Sequence, residues 1–302
     1  MANNDPDLGG LLQVVGTVAT TNRKGVLTYM SEQKIKLAQS THTGCVREHN
    51  EDSSGHILPE DLGDPAMSPI DAMAVVADGM GGMAAGEVAS DITVKAVVGK
   101  MQEWIDAWAS RASKTDTALC KAEGNNDDLP SVPLVQSVIE ANRQVIAEGE
   151  KDPGKRGMGT TCTAAALSGS RLYLAHVGDS RAYLIRKGHL MQLTDDHSLV
   201  QEMVDDGLIS AEDAWDHPRK NIVTRSIGSD PNLEVATYIE DLFAGDLILL
   251  CSDGLNTMIR DSEIERIMTA DIGIHDKCDD LIRSANEAGG NDNTTVMVLA
   301  VP

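Results

Sequence analysis

Four short stretches carry the residues that could do chemistry. Val75-Val76-Ala77-Asp78-Gly79-Met80-Gly81-Gly82 runs from a β-type apolar segment into a carboxylate. The glycines after Asp78 let backbone come close to whatever that carboxylate holds. Arg47-Glu48-His49-Asn50-Glu51-Asp52, Ile248-Leu249-Leu250-Cys251-Ser252-Asp253-Gly254 and Gly289-Gly290-Asn291-Asp292-Asn293-Thr294 share this pattern of acids at strand ends and in loops. Brought together by a fold, such acids make an oxygen cage for hard divalent cations. No His/Cys cluster accompanies them, so the donor set points to Mg²⁺ or Mn²⁺ rather than zinc. Without cations the same carboxylates would repel one another and their pKa values would rise.

Each acid also has a plainer reading. Asp is a frequent turn and helix-cap residue, and Asp-Gly is a hairpin dipeptide. The joint pattern favours the cage, because Asp78 and Asp253 both follow runs of buried-strand character, where a lone carboxylate is costly. Arg47 is the cation nearest the first acidic segment. Its guanidinium can grip two phosphoryl oxygens in a fork, or it can pair with a neighbouring Glu on the surface. Gly157-Met158-Gly159-Thr160-Thr161 lacks the Lys-Ser/Thr of a P-loop, so its glycines read as permitting close backbone packing. Gly178-Asp179-Ser180-Arg181 reads either as a hairpin turn or as a loop that brings Asp179 beside the cage. No nucleophile elbow surrounds Ser252. His176 ends an apolar strand and reads as a core histidine, while Asp195 and Asp196 before His197 look like helix-start residues.

The elements that must position these residues follow from periodicity. Ile35–Ser40, Met73–Ala77, Thr160–Leu167, Leu172–His176, Ala182–Ile185, Leu190–Leu193, Val235–Ile239, Leu247–Cys251 and Thr294–Val301 read as strands. Val88, Ile92, Val97, Met101, Trp104, Ile105 and Trp108 share one face of a helix over Glu87–Trp108, and Leu134–Ile146 marks a second. Ser198–Asp205, Ile264–Met268 and Cys278–Ala288 read as shorter helices. Asp52–Ser68 reads as a loop, residues 110–130 as a solvated linker, and Gly207–Asn221 as an irregular flap over a site. Strand clusters with two helical pairs imply an α+β layered domain.

Composition narrows the function. The formal charge of −22 argues against a nucleic-acid backbone or an anionic membrane as partner. Aromatics are only 3% of the chain, so aliphatic residues and 13 Met must fill the core. Five cysteines, an odd number with no C-x-x-C pair, fit free thiols in a reducing compartment. No apolar run approaches the ~20 residues of a membrane span, and the acidic start is unlike a signal peptide. A cytoplasmic location is expected.

These segments, taken in order, resemble the metal-dependent serine/threonine protein phosphatases of the PPM (PP2C) family, in their bacterial form. The resemblance covers about residues 36–301: R-x-x-N-E-D at 47–52, D-G-M-G-G at 78–82, G-x-G-T-T at 157–161, G-D-S-R at 178–181, D-H-S at 196–198, T-R-S-I-G at 224–228, S-D-G-L at 252–255 and D-N-T-T at 292–295. It implies a four-layer αββα sandwich, two antiparallel β-sheets flanked by helix pairs, spanning 35–302 after an extension at 1–34. It implies two cations, Mn²⁺ or Mg²⁺, with Asp78 bridging, the Gly79 carbonyl on one ion, and Asp253 and Asp292 completing the other. Glu51 and Asp52 would act partly through water, Arg47 would bind the phosphoryl group, and Asp179 with Asp253 would form a weaker third site. A metal-bridging water would attack phosphorus directly, leaving no phosphoenzyme. Phosphorylated proteins would be the substrates of a monomer that opposes a cognate Ser/Thr kinase. Relatives carry a proton-donating His where this chain has Met80 or Met83, so the leaving-group acid is unassigned. The competing readings are a phosphoprotein-binding pseudophosphatase and a phosphatase of small esters.

Overall fold

The computed structural model describes residues 17–21, 27–31, 35–62, 68–81, 85–112 and 130–302. The chain divides into two units. In the first, residues 1–34, strands β1 (Thr17–Thr21) and β2 (Leu27–Ser31) pair antiparallel. Residues 35–301 form the second, which holds every residue discussed below. The expected linker at 113–129 and Met83 lie outside the described residues.

Two antiparallel sheets stack in the second unit. One contains β3 (Lys36–His42), β9 (Arg181–Arg186), β10 (His189–Gln192), β12 (Leu247–Cys251) and β13 (Thr294–Ala300), in the order β10-β9-β12-β13-β3. The other contains β4 (Asp52–Ile57), β5 (Ala72–Met80), β7 (Cys162–Ser168), β8 (Arg171–Val177) and β11 (Ala236–Asp241), in the order β11-β8-β7-β5-β4, with β6 (Gly159–Thr160) pairing the end of β5. Their facing sides make a dry middle layer. Ala72, Ala74, Val76, Leu172 and Leu174 of one sheet pack on Ala182, Leu184, Ile248, Leu250, Met297 and Leu299 of the other. Small alanines opposite large aliphatics fill most of the gap, and Tyr238 packs against the cluster.

The outer faces are covered by helices, as alternation along each strand requires. Helices α1 (Ala85–Ala112) and α2 (Ser131–Lys151) lay Ala89, Val97, Met101, Leu134 and Val138 on Met73, Val75, Ala164 and Ala166. Helices α6 (Asp261–Met268) and α7 (Ile274–Glu287) cover the other sheet through Ile264, Ile267, Leu281 and Ala285. Among the described residues there are also three short α-helices: α3 (Leu199–Asp205), α4 (Ala211–Trp215) and α5 (Asp253–Asn256). The four expected layers are therefore present.

Local expectations fail in four places. Asp52–Ile57, expected as loop, is edge strand β4: its polar string Asp-Ser-Ser-Gly-His-Ile has no apolar alternation, and its pairing comes from β5. Residues 178–181 are not a hairpin, because β8 and β9 belong to different sheets and the turn carries the chain between layers. The expected irregular flap contains α4, started by a capping box of Ser210 and Asp213. Asp196 does not start α3; Ser198 is its N-cap, and Asp196 instead makes a bidentate ion pair with Arg181.

Gly55 on β4 explains how closely α1 can approach. A Cβ there would lie 2.6 Å from Val94 Cγ1 and 3.0 Å from Val98 Cγ2, both on stiff β-branched side chains. Gly55→Ala should therefore destabilise by about 1–3 kcal/mol in urea denaturation. Gly99→Ala, on the exposed face of α1 with nothing within 4 Å, should instead stabilise by about 0.5–1 kcal/mol. Equal effects at the two sites would refute this account of helix–sheet contact.

Candidate active site

The acidic residues meet at one end of the stacked sheets. Strand β5 is buried from Ala72 to Ala77 and emerges at Asp78. Its end is fixed by β6 and the threonines beside it: Asp78 N–H donates to Thr161 Oγ1 at 2.9 Å, while Thr161 N–H and Thr160 Oγ1 donate to the Asp78 carbonyl at 2.9 and 2.8 Å. Thr161 Oγ1 in turn lies 2.7 Å from Ser180 Oγ, beside Asp179. The β4–β5 register sets Asp52 directly opposite Asp78, a pairing of like charges that a sheet does not favour by itself.

Gly79 requires its missing side chain. A Cβ there would sit 2.2 Å from the Gly86 carbonyl oxygen and 2.5 Å from that of Glu51, so the N-terminus of α1 and the Glu51 backbone close on it. Gly79 N–H donates to the Glu51 carbonyl at 3.1 Å. Glu51 is thereby carried beside Asp78.

The other sheet contributes Asp253 and Asp292. Strand β12 ends at Cys251, and Asp253 opens α5. Ser252 bridges the sheets, its hydroxyl donating to Asp52 Oδ2 at 2.7 Å while accepting from Thr295 N–H at 2.9 Å. Asp292 precedes β13; its Oδ1 accepts from Asn293 N–H, and its Oδ2 pairs with an Arg47 guanidinium nitrogen at 2.7 Å. Asp179 is buried in the crossover between β8 and β9. A cleft of about 230 Å³ is lined by Arg47, Glu51, Asp78, Gly79, Asp179, Asp253 and Asp292, together with Met80, Gly81, Thr161, Asn221 and Val223. The fold thus collects the whole predicted set, with Asp52 just behind the lining.

The electrostatics show what this collection costs. Burial pushes the Asp52 carboxyl up to about 7, with Asp253 and Asp292 adding to the rise against the Ser252 hydroxyl. Burial, then Asp292, lifts Asp253 to about 6. Asp78 is raised well above the ordinary carboxylate range by burial and by Asp52, Asp253 and Asp179, and Asp179 likewise by burial, Asp253 and Asp196. Glu51 rises through burial despite Arg47. Burial works against the charge of Arg47, but Asp292 outweighs it and the guanidinium pKa is raised.

These features fit divalent cations. Asp52 Oδ1 and Asp253 Oδ1 are buried without a hydrogen-bond partner, and the donors are all oxygen, as Mg²⁺ and Mn²⁺ prefer. Among the described residues, no three His, Cys, Asp or Glu side chains stand at ligand distances around one point. The carboxylates are gathered, and a cation would draw them the remaining way.

Sequence reasoning singled out the acids and passed over the neutral residues that hold them. Asn293 is the clearest case. Its Oδ1 accepts from Glu51 N–H at 2.8 Å, and its Nδ2 donates to the Thr43 and His49 carbonyls at 2.9 Å each, fastening the Arg47 loop to β13. Ser252, Thr161 and Asn293 all sit inside the quoted motifs, so the signal was present as position without a role.

A carboxylate cage with one guanidinium at its lip, on two stacked sheets, defines a phosphohydrolase of the metal-dependent kind. The model of the family described as protein phosphatase 2C matches residues 66–293. Serine/threonine phosphatase stp of Listeria welshimeri is 40% identical over 259 residues, which is 86% of this chain and 93% of that one. Protein phosphatase PhpP of Streptococcus pneumoniae is 38% identical over 76% of this chain and 85% of its own. Among solved structures, the catalytic domain of the phosphatase PstP in complex with two manganese ions aligns with a TM-score of 0.70 at 32% identity, covering 89% of this chain and 99% of that one. The chain belongs to the protein phosphatase 2C family. It is a serine/threonine protein phosphatase acting on phosphoproteins, and the family is metal-dependent.

Two predictions follow from the site. The raised carboxyls bind protons in the folded state that the unfolded chain has lost above about pH 4, so their stabilising contribution is full below that pH and disappears as pH rises through about 6 to 7. The Mn²⁺-minus-chelator difference in melting temperature should therefore grow from about pH 5 to about pH 8. A difference that shrinks over this range would contradict it. Asn293→Ala should raise the phosphopeptide KM about tenfold by loosening the Arg47 loop, with a smaller effect on kcat; an unchanged KM would remove Asn293 from this role.

Proposed function

We propose that Asp78, the Gly79 carbonyl, Asp253 and Asp292 hold two divalent cations, Mn²⁺ or Mg²⁺, with Glu51 and Asp52 in the surrounding shell. Asp179 with Asp253 would supply a weaker third site. The observation that carries this reading is the gathering of these acids, two of them with a buried oxygen lacking any partner, around one cleft. When bound, the ions supply Lewis-acid charge that acidifies water and draws electron density from the phosphoryl group.

The chain's own residues then have separate tasks. Arg47 presents its guanidinium at the cleft and stabilises the phosphoryl oxygens as charge grows on them. In this structure the same guanidinium pairs with Asp292, which holds it in place at the lip. Thr161, the one hydroxyl-bearing residue of the lining, is occupied by Asp78 N–H and Ser180. With the lining carboxylates assigned to cations, water is the nucleophile of this reading, and displacement is direct without a phosphoenzyme. Met80 lines the cleft and has no proton to give, so the leaving alkoxide takes its proton from water or a more distant His, or departs less assisted.

Around this chemistry we place a monomer that works in the cytoplasm against a cognate serine/threonine kinase. Among the described residues no helix is long and apolar enough to cross a membrane. The charge of −22 disfavours nucleic acid and anionic lipid as partners.

Hydrolysis of a phosphothreonine peptide tests the site. Activity should require Mn²⁺ or Mg²⁺, vanish with chelator, and fall on the order of a hundredfold or more in Asp78→Asn. Turnover that survives chelation, or an unaffected Asp78→Asn variant, would sink the two-metal assignment. A small ester turned over far faster than any phosphopeptide would overturn phosphopeptides as the preferred substrate class.

A further inference from the structure

The flap around α4 does more than border the cleft: it caps the short helix that carries Asp253. Helix α5 is a single turn that opens at Asp253 and closes at Asn256. So short a helix leaves its last carbonyls without internal partners. Trp215, at the end of α4, donates its indole Nε1–H to the Asn256 carbonyl at 3.0 Å. Lys220 Nζ donates to the Thr257 carbonyl at 3.3 Å. Both donors come from the flap, and the ammonium stands at the negative end of the helix, where a cation is favoured.

A second set of contacts fixes the indole itself. The Arg260 guanidinium lies 3.8 Å and the Lys220 ammonium 4.9 Å from the Trp215 ring centroid. Arg260 also pairs with Glu212 of α4 at 2.8 Å. At the other end of the turn, Thr257 N–H and Oγ1 both donate to the Asp253 carbonyl, at 2.9 and 2.7 Å. The chain of contact therefore runs from the flap through Asn256 and Thr257 to the backbone of Asp253. Trp215, Lys220 and Arg260 line a neighbouring cavity of about 630 Å³ rather than the carboxylate cleft, and the two hollows share Asp179 and Asp253 as walls.

We propose that Trp215, supported by Lys220 and Arg260, is a positioning residue for Asp253, and that docking of the flap and binding of a divalent cation at Asp253 stabilise each other. The inference rests on the reading of Asp253 as a cation ligand. A ligand whose backbone is held in place loses less freedom when it coordinates, and groups behind a ligand affect metal affinity by about tenfold or more. Linkage makes the effect mutual: whatever the docked flap adds to cation affinity, the cation returns as flap stability.

The test pairs Mn²⁺ titration by calorimetry with hydrogen exchange over residues 207–222, with and without Mn²⁺, on the full chain. In the unmodified protein Mn²⁺ should slow flap exchange. Trp215→Ala should bind Mn²⁺ about tenfold more weakly and lose the Mn²⁺-dependent protection. Trp215→Phe, which keeps a ring for the two cations but has no N–H, should fall between. Lys220→Ala should weaken Mn²⁺ about threefold, and it decides the question with Trp215→Phe if Trp215→Ala does not fold. Unchanged Mn²⁺ affinity in the folded variants, or flap exchange indifferent to Mn²⁺ in the unmodified protein, overturns the coupling. Failure of the unmodified protein to bind Mn²⁺ at all overturns instead the reading of Asp253 on which it rests.

Discussion

The structure depends on one unfavourable interaction, the mutual repulsion of carboxylates buried at the end of two stacked sheets. Asp52 faces Asp78 across a strand pair, and Asp253 reaches the same place from the second sheet. No single strand ending forces this. The sandwich does, because its apolar middle layer fixes both sheets and so fixes where their strands terminate. The strain appears as raised carboxyl pKa values and as two buried oxygens without partners. Protons can relieve it at low pH. In the proposed two-cation site, divalent cations would relieve it instead and would bring the charge that phosphoryl transfer needs.

Holding repelling groups together requires neutral residues that do not add to the charge. Ser252 joins Asp52 to the second sheet, Thr161 pins the end of β5 toward the Asp179 turn, and Asn293 ties the Arg47 loop to β13. Each uses a short side chain with both donor and acceptor capacity. Each is buried, so its hydrogen bonds are well defined and its loss would leave a polar group unsatisfied. The glycine contact of Gly79 with Gly86 serves the same end by letting the start of α1 approach the acids. The cage is therefore built by its lining as much as by its acids.

Much of this was legible in the chain. An α+β layered domain follows from strand runs such as Leu247–Cys251 and from the apolar face of α1, since both patterns are set by local periodicity; the four-layer αββα order came from the family resemblance of the ordered motifs. Asp78 and Asp253 were legible because each ends an apolar run where a carboxylate is out of place, and Glu51, Asp52, Asp179 and Asp292 through the motifs that contain them. Strand β4 was not, because its polar residues carry no alternation and its strand character is conferred by β5. The turn at 178–181 was equally opaque: a tight turn between two strands looks the same whether the strands pair or part into separate sheets. The role of Asn293 was hidden because its partners, Thr43, His49 and Glu51, lie more than 240 residues away in the chain.

By itself the sequence determined the kinds of element, the order of the motifs and the identity of the acids, all of which are properties of neighbouring residues. Only the tertiary structure decided which of those acids share a cleft, which neutral residues restrain them, and that Trp215 of the flap reaches the carbonyl end of the helix bearing Asp253. Those are contacts between segments far apart in the chain. Their existence depends on how two sheets stack and where each strand stops, which no local pattern records.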